Sequence, residues 1–297
     1  MPSSGSNRIT GESTPRRPRL KARGENRAPG TLVCSRIVNR PLPSLSVVVP
    51  VRNEADNIEP LARELTAALA CLDQWECIWV DDASTDATRE HLRRVASEDP
   101  RHRILVFGEH RGQTAALLAG WRAAGGEFVG GLDGDRQNDP ADLPRLLGLA
   151  VEHGLDMVNG VRAARRDTLA RRISSRIANG FRNWITGDST TDVGCSTRVL
   201  RRSLVEEIPA FRGMHRFLPM FVRRAGGRVG EAPVGHRPRA AGRSNYGIMD
   251  RLWIGLADCL AVRWMASRRI RLDAIEDEAA SSDDARRRSA AGGRRQE

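Results

Sequence analysis

Three acidic stretches in this 297-residue chain have residue types and spacing that could do chemistry: Asp133-Gly134-Asp135, Asp81-Asp82 and the segment Pro50-Val51-Arg52-Asn53-Glu54. The first organises the others. It follows Glu127-Phe-Val-Gly-Gly131, which reads as a buried strand, and precedes Pro140-Ala-Asp-Leu, which reads as a helix start. Asp139 is the expected N-cap, and Pro140 suits the first helical position. Two carboxylates one residue apart at a strand end can reach the same point in space. Gln137 adds a neutral oxygen on the same turn. That donor set suits a hard divalent cation, Mg²⁺ or Mn²⁺, which takes oxygen ligands and keeps positions open for phosphates. An isolated Asp-x-Asp is more often a polar turn, so its surroundings decide.

The elements that must position these residues alternate. Leu45-Ser-Val-Val-Val49 is a β-branched run ending at Pro50. Asn53 to Leu72 has apolar residues at helical spacing (Ile58, Leu61, Leu65, Leu69, Leu72), with Asn53 or Asp56 near the cap. Glu76–Val80 is a second strand and runs into Asp81-Asp82-Ala-Ser-Thr-Asp86. A helix over 86–97, a strand over 103–107, the loop 108–113 and a helix through Ala124 follow. Such alternation predicts an α/β fold with a parallel sheet and helices on both faces. Ligands then sit at the carboxyl ends of the strands, where all three acidic stretches lie. No Gly-x-Gly-x-x-Gly follows the first strand and no Gly-Lys-Ser/Thr is present, which disfavours dinucleotide and P-loop chemistry.

Composition sets the bounds. Residues 1–43 are read as a basic disordered tail and 271–297 as a polar one, leaving roughly 230 residues, ample for one α/β core. The net charge is +11 and Lys21 is the one lysine, so the positive charge is almost all arginine. A basic surface favours phosphate-bearing partners without arguing for a specific nucleic acid. The five cysteines, Cys34, Cys71, Cys77, Cys195 and Cys259, form no Cys-x-x-Cys pair and read as reduced, mostly core thiols of a cytosolic protein. No apolar leader opens the chain, and no uncharged apolar run reaches bilayer-spanning length.

Val49-Pro-Val-Arg-Asn-Glu54, Val80-Asp-Asp-Ala-Ser-Thr-Asp86 and Leu132-Asp-Gly-Asp-Arg-Gln137, in this order, resemble family 2 glycosyltransferases of the GT-A fold. Asn159-Gly-Val-Arg162, Thr191-Asp-Val-Gly-Cys-Ser-Thr-Arg198, His215-Arg-Phe-Leu-Pro219 and Arg239-Ala-Ala-Gly-Arg-Ser244 narrow the resemblance to the polyprenyl-phosphate, dolichyl-phosphate mannose synthase-like branch. The matches span about 44–245, the expected catalytic domain. The resemblance implies a Rossmann-like, mostly parallel sheet. It places Pro50, Arg52, Glu54, Asp81 and Asp82 on the nucleoside, and Asp133, Asp135 and Gln137 on the metal and diphosphate. Arg52 departs from the aromatic or other residue often found there, which leaves the base of the expected donor, a GDP- or UDP-sugar, open.

From Arg162 to Arg176 there are six arginines and one acid, Asp167. Planar guanidinium suits phosphate. The resemblance assigns Arg162, Arg171, Ser175 and Arg239 to the acceptor phosphate, with Asp133, Asp135 and Arg162 as the catalytic set. It implies transfer of a sugar, with inversion, from a nucleotide sugar to a polyprenyl phosphate. The alternatives are a hydroxyl acceptor, with Asp192 the tempting base, a sugar nucleotidyltransferase, or an arginine-rich nucleic-acid-binding protein. The Gln-x-x-Arg-Trp signature of processive enzymes is absent: Leu260 stands where the glutamine would precede Arg263-Trp264.

Residues 246–270 read as an amphipathic helix, with Asp250, Arg251 and Asp258 in one sector and Trp253 and Trp264 fit for a lipid boundary. Packing on the core or on a partner subunit is the competing reading. Some relatives continue into transmembrane helices, whereas this chain passes into its polar tail. The expected setting is therefore cytoplasmic and peripheral, on the inner face of the membrane, with room for an integral membrane partner. No feature of the sequence sets an oligomeric state.

Overall fold

A computed structural model describes residues 41–162, 180–237 and 248–268. Residues 1–40 of the expected N-terminal tail, the C-terminal tail and the positions Arg171, Ser175 and Arg239 lie outside the described residues. The elements, in order, are β1 (Leu45–Val51), α1 (Ala55–Leu69), β2 (Trp75–Asp81), α2 (Thr88–Glu98), β3 (His102–Val106), α3 (Gln113–Arg122), β4 (Phe128–Gly131), α4 (Asp142–His153) and β5 (Met157–Arg162). A helical stretch over 180–186 comes next, then β6 (Arg198–Arg201), α5 (Leu218–Arg224), β7 (Val229–Val234) and α6 (Ile248–Ser267).

The strands form one seven-stranded sheet in the order β3-β2-β1-β4-β6-β5-β7. β1, β2, β3 and β4 pair in parallel, as does β5 with β7, while β6 runs antiparallel to both β4 and β5. Successive strand side chains point to opposite faces, and the core divides accordingly. Val47, Val49, Cys77 and Trp79 face α1, α2 and α4 with Ile58, Leu65, Leu92 and Leu143. Val48, Ile78 and Val80 face α3, α5 and α6 with Trp121, Phe221, Cys259 and Val262. Leu42 already packs against the first of these layers.

Several local expectations shift. β1 continues through Pro50 to Val51, because its neighbour β2 still pairs with it there. The α1 cap is Glu54, between the expected Asn53 and Asp56, and its own side chain makes no capping hydrogen bond. Ala55 N–H donates to Asp86 Oδ2 (3.3 Å) and Glu54 N–H to Thr88 Oγ1 (2.8 Å), so the β2–α2 loop caps its neighbour. Asp139 caps a turn ahead of α4 by accepting from Ala141 N–H (3.1 Å), and the helix begins at Asp142. Cys77, Cys195 and Cys259 are free and buried as expected. Cys71, exposed just beyond α1, departs from the reduced-thiol reading: it is disulfide-bonded, a pairing that scattered spacing does not reveal.

α6 settles against the core along one face only. Cys259 and Val262 are buried, and Leu256 and Met265 pack beside them, whereas Leu260 and Trp264 are exposed. Among the described residues no helix is long and apolar enough to cross a membrane.

The turn before α5 seats His215 against the start of α3. Thr114 Oγ1 accepts from Gly213 N–H (3.0 Å) and lies 2.9 Å from His215 Nδ1, so the hydroxyl proton is free to serve a neutral imidazole. Burial, then the charges of Arg198 and Arg216, push the His215 pKa down to about 3. The folded value lies below the unfolded one, so between those values a falling pH protonates the unfolded chain first. Stability is thus full above about pH 6.5 and declines below it by up to about 1.4 kcal/mol per pH unit. We expect the melting temperature of the native chain to fall more steeply from pH 7 to pH 5 than that of His215→Asn. Parallel curves would rule out His215 as a source of the acid sensitivity.

Candidate active site

Because β2, β1 and β4 are adjacent and parallel, the loops that leave them converge at one sheet edge. They enclose a cleft of about 260 Å³ lined by Pro50, Val51, Arg52, Glu54, Asp82, His110, Gln113, Asp133, Gly134 and Asp135. Each loop carries a non-glycine residue in the left-handed region: Asn53 (φ 55°), Ala83 (φ 57°) and Arg136 (φ 58°), the three such residues among those described. This conformation costs energy for L-residues and persists where surrounding contacts over-determine it.

The contacts are visible. Asn53 Oδ1 accepts from Thr85 N–H (2.8 Å), and Asn53 N–H donates to Ser84 Oγ (3.0 Å), so the first two loops lock together. Asp81 is fully buried and accepts from Ser84 N–H (2.9 Å) and Arg89 Nε (2.9 Å). It braces the loop and does not line the cleft. Asp82 does line it, and gathers the loop before α3 by accepting from Arg111 N–H (2.7 Å) and Gly112 N–H (2.9 Å), with His110 Nδ1 at 2.7 Å. Both oxygens are therefore engaged by the protein.

Asp133 and Asp135 both line the cleft. Gly134 between them touches β1 closely: a Cβ there would lie 2.8 Å from Val51 Cγ1, so this turn requires glycine. Burial pushes the Asp133 carboxyl up. A Ser196 hydrogen bond opposes that, the Asp135 charge adds to it, and the Arg198 and Arg162 charges pull it back. Gln113 Nε2 also donates to Asp133 Oδ1 (2.9 Å). Asp135 Oδ1 accepts from Gln137 N–H (3.2 Å). Gln137, expected as a third oxygen, lies outside the cleft lining, and its carbonyl accepts from Arg237 N–H (2.7 Å).

Among the described residues no group of three or more His, Cys, Asp and Glu side chains converges on a cation site. Two carboxylates with open positions nevertheless fit Mg²⁺ or Mn²⁺, which bind through one or two carboxylates plus substrate phosphates. The like charges of Asp133 and Asp135, one of them raised by burial, are what a divalent cation would offset.

Arg162 ends β5 and comes within electrostatic reach of Asp133. Its guanidinium grips Asp192 in a bidentate pair, Nε to Oδ2 and Nη2 to Oδ1, both at 2.8 Å. Behind it Arg198 is buried and donates to the backbone carbonyls of Cys195 and His215. Sequence reasoning had not singled out His110, Gln113, Ser196 or Arg198. The polar Gly108–Gln113 loop after β3 was the available signal for the first two.

The profile of Glycosyl transferase family 2 matches residues 46–209. The chain is 38% identical over 242 residues to a dodecaprenyl-phosphate galacturonate synthase of Rhizobium johnstonii, covering 78% of this chain and 71% of that protein. It is 36% identical over 227 residues to an undecaprenyl-phosphate 4-deoxy-4-formamido-L-arabinose transferase of Yersinia pestis, covering 75% and 69%. In fold it is similar to glucosyl-3-phosphoglycerate synthase from Mycobacterium tuberculosis, solved with Mn²⁺, UDP and phosphoglyceric acid. That likeness has a TM-score of 0.57 at 19% identity and covers 77% of this chain and 80% of that one. With the profile covering more than half of its length and a GT-A sheet beneath the cleft, the chain belongs to glycosyl transferase family 2.

Proposed function

We propose that this enzyme transfers one sugar, with inversion, from a nucleotide sugar to a polyprenyl phosphate at the cytoplasmic face of the membrane. The observation that carries the reading is the convergence of Asp133 and Asp135 on one cleft, with Arg162 at the end of β5 held by Asp192 and within electrostatic reach of Asp133. The relatives named as dodecaprenyl- and undecaprenyl-phosphate enzymes support it.

In this reading Pro50, Arg52, Glu54 and Asp82 receive the nucleoside, with Asp81 holding their loop. Asp133 and Asp135 would hold Mg²⁺ or Mn²⁺, which when bound neutralises charge on the leaving diphosphate. Gln113 and Ser196 orient Asp133. Arg162, set by Asp192, receives the acceptor phosphate together with Arg171, Ser175 and Arg239. The acceptor phosphate is already ionised near neutral pH, so its oxygen attacks the anomeric carbon without a general base. The new carbon–oxygen bond forms as the bond to the nucleoside diphosphate breaks on the opposite side. The protein's work is alignment and charge compensation. Asp192, the one tempting base for a hydroxyl acceptor, has both oxygens engaged by Arg162, which favours the phosphate acceptor.

Two exposed aromatic sites support the membrane setting. Phe181 and Trp184 stack at 6.2 Å, and Trp184 is 75% exposed. On α6, Leu260 and Trp264 are exposed one turn apart, and Arg263 Nη1 donates to the Ile185 carbonyl (3.0 Å), tying the two helices together. Tryptophans beside arginines suit a lipid headgroup boundary.

A screen of labelled GDP- and UDP-sugars with undecaprenyl phosphate and Mn²⁺ should yield an acid-labile lipid product that chelator abolishes. Donor hydrolysis without lipid product would move the acceptor to a hydroxyl. Asp135→Ala should lower transfer by roughly a hundredfold or more while melting like the native chain; ordinary turnover would remove Asp135 from the site. The double variant Trp184→Ser/Trp264→Ser should sediment several-fold less with anionic vesicles while binding nucleotide normally, and unchanged sedimentation would reject this surface.

A further inference from the structure

The three left-handed residues at the cleft are not held alike. Asn53 is of a type that tolerates this conformation, and its side chain is fixed by accepting from Thr85 N–H of the neighbouring loop. Ala83 is small, and the Asp81–Ser84 hydrogen bond brackets it. Arg136 is long, and its guanidinium reaches across to α1, where Nε and Nη2 lie 3.2 and 2.6 Å from Glu64 Oε1. The other oxygen of Glu64 accepts from Arg237 Nη1 (2.7 Å). Arg237 in turn pairs with Asp139 (3.2 Å) and donates its N–H to the Gln137 carbonyl, while Asn138 and His236 form a bridge beside them. One carboxylate from α1 thus grips the Asp133–Asp139 turn from both ends. Neither Glu64 nor Arg136 lines the cleft.

We propose that Glu64 is a positioning residue for the metal and diphosphate site. By clamping the Arg136 guanidinium against α1, it holds the left-handed backbone at Arg136 and so keeps Asp133 and Asp135 aimed into the cleft. The inference rests on the metal-dependent reading above. Without the clamp, Arg136 is released toward the right-handed or extended regions that any non-glycine residue prefers, and Asp135, one residue earlier, swings with it. Glycine has no such preference, so it makes the clamp unnecessary.

The test is calorimetric titration of the full chain with Mn²⁺–UDP and with Mn²⁺–GDP, with melting curves alongside. Glu64→Ala should weaken nucleotide binding about tenfold, and Glu64→Gln, which keeps the side-chain shape, by less. Arg136→Gly should bind as the native chain does. The double variant Glu64→Ala/Arg136→Gly should recover to within about twofold of native, because glycine adopts the same backbone unaided. A purely structural Glu64 would lower the melting temperature without this rescue. Native-like binding by Glu64→Ala overturns the proposal, as does a double variant that stays weak. Loss of binding in Arg136→Gly alone also overturns it, since the guanidinium would then act on the ligand directly. Failure of the native chain to bind either metal–nucleotide removes the underlying reading as well, whereas native binding with unaffected variants removes only the role of Glu64.

Discussion

Asp133 and Asp135 carry like charges into the same small cleft, and the surrounding structure is arranged to make that tolerable. The turn that brings them together needs a glycine pressed against β1 and a left-handed arginine immediately after. Neither feature is favourable by itself. They are sustained because Ser196 and Gln113 hold Asp133, the charges of Arg198 and Arg162 lie within reach, and Glu64 holds the arginine. Like charges so gathered are what a divalent cation held together with a diphosphate would offset, as the proposed function requires.

The same economy runs through the neighbouring loops. Asp86 from the β2 loop caps α1, Asn53 from the β1 loop closes the β2 loop, and Asp82 gathers the backbone before α3. Backbone N–H groups at helix starts and turns need acceptors, and here each loop supplies them to the next. The acidic residues therefore do structural work even where they face the cleft. The sheet edge behaves as one braced rim, with Arg162 and Asp192 continuing it beyond the antiparallel β6.

α6 shows how one helix serves two surroundings. Cys259 and Val262 are sealed against the core, while Leu260 and Trp264 remain outward. Of the two readings that its sequence left open, packing on the core accounts for the first face, and the lipid boundary is the proposal for the second.

The sequence by itself determined much. Short β-branched runs, helical spacing of leucines and the order of three acidic loops announced the α/β sheet and the edge where the site would lie, because strand and helix periodicities are local properties of the chain. Asp133, Asp135, Arg52 and Glu54 line a cleft at that edge because their loops leave those strands. Contacts between distant positions were not legible: Glu64 meets Arg237 across 173 residues, and Gln113 meets Asp133 across 20. Only the folded sheet decided that β6 would run antiparallel, that Asp81 would turn inward while Asp82 faced the cleft, and that Arg162 would find Asp192. Each of those outcomes depends on which strands become neighbours, and that choice rests on burial summed over the whole core, beyond what any short motif encodes.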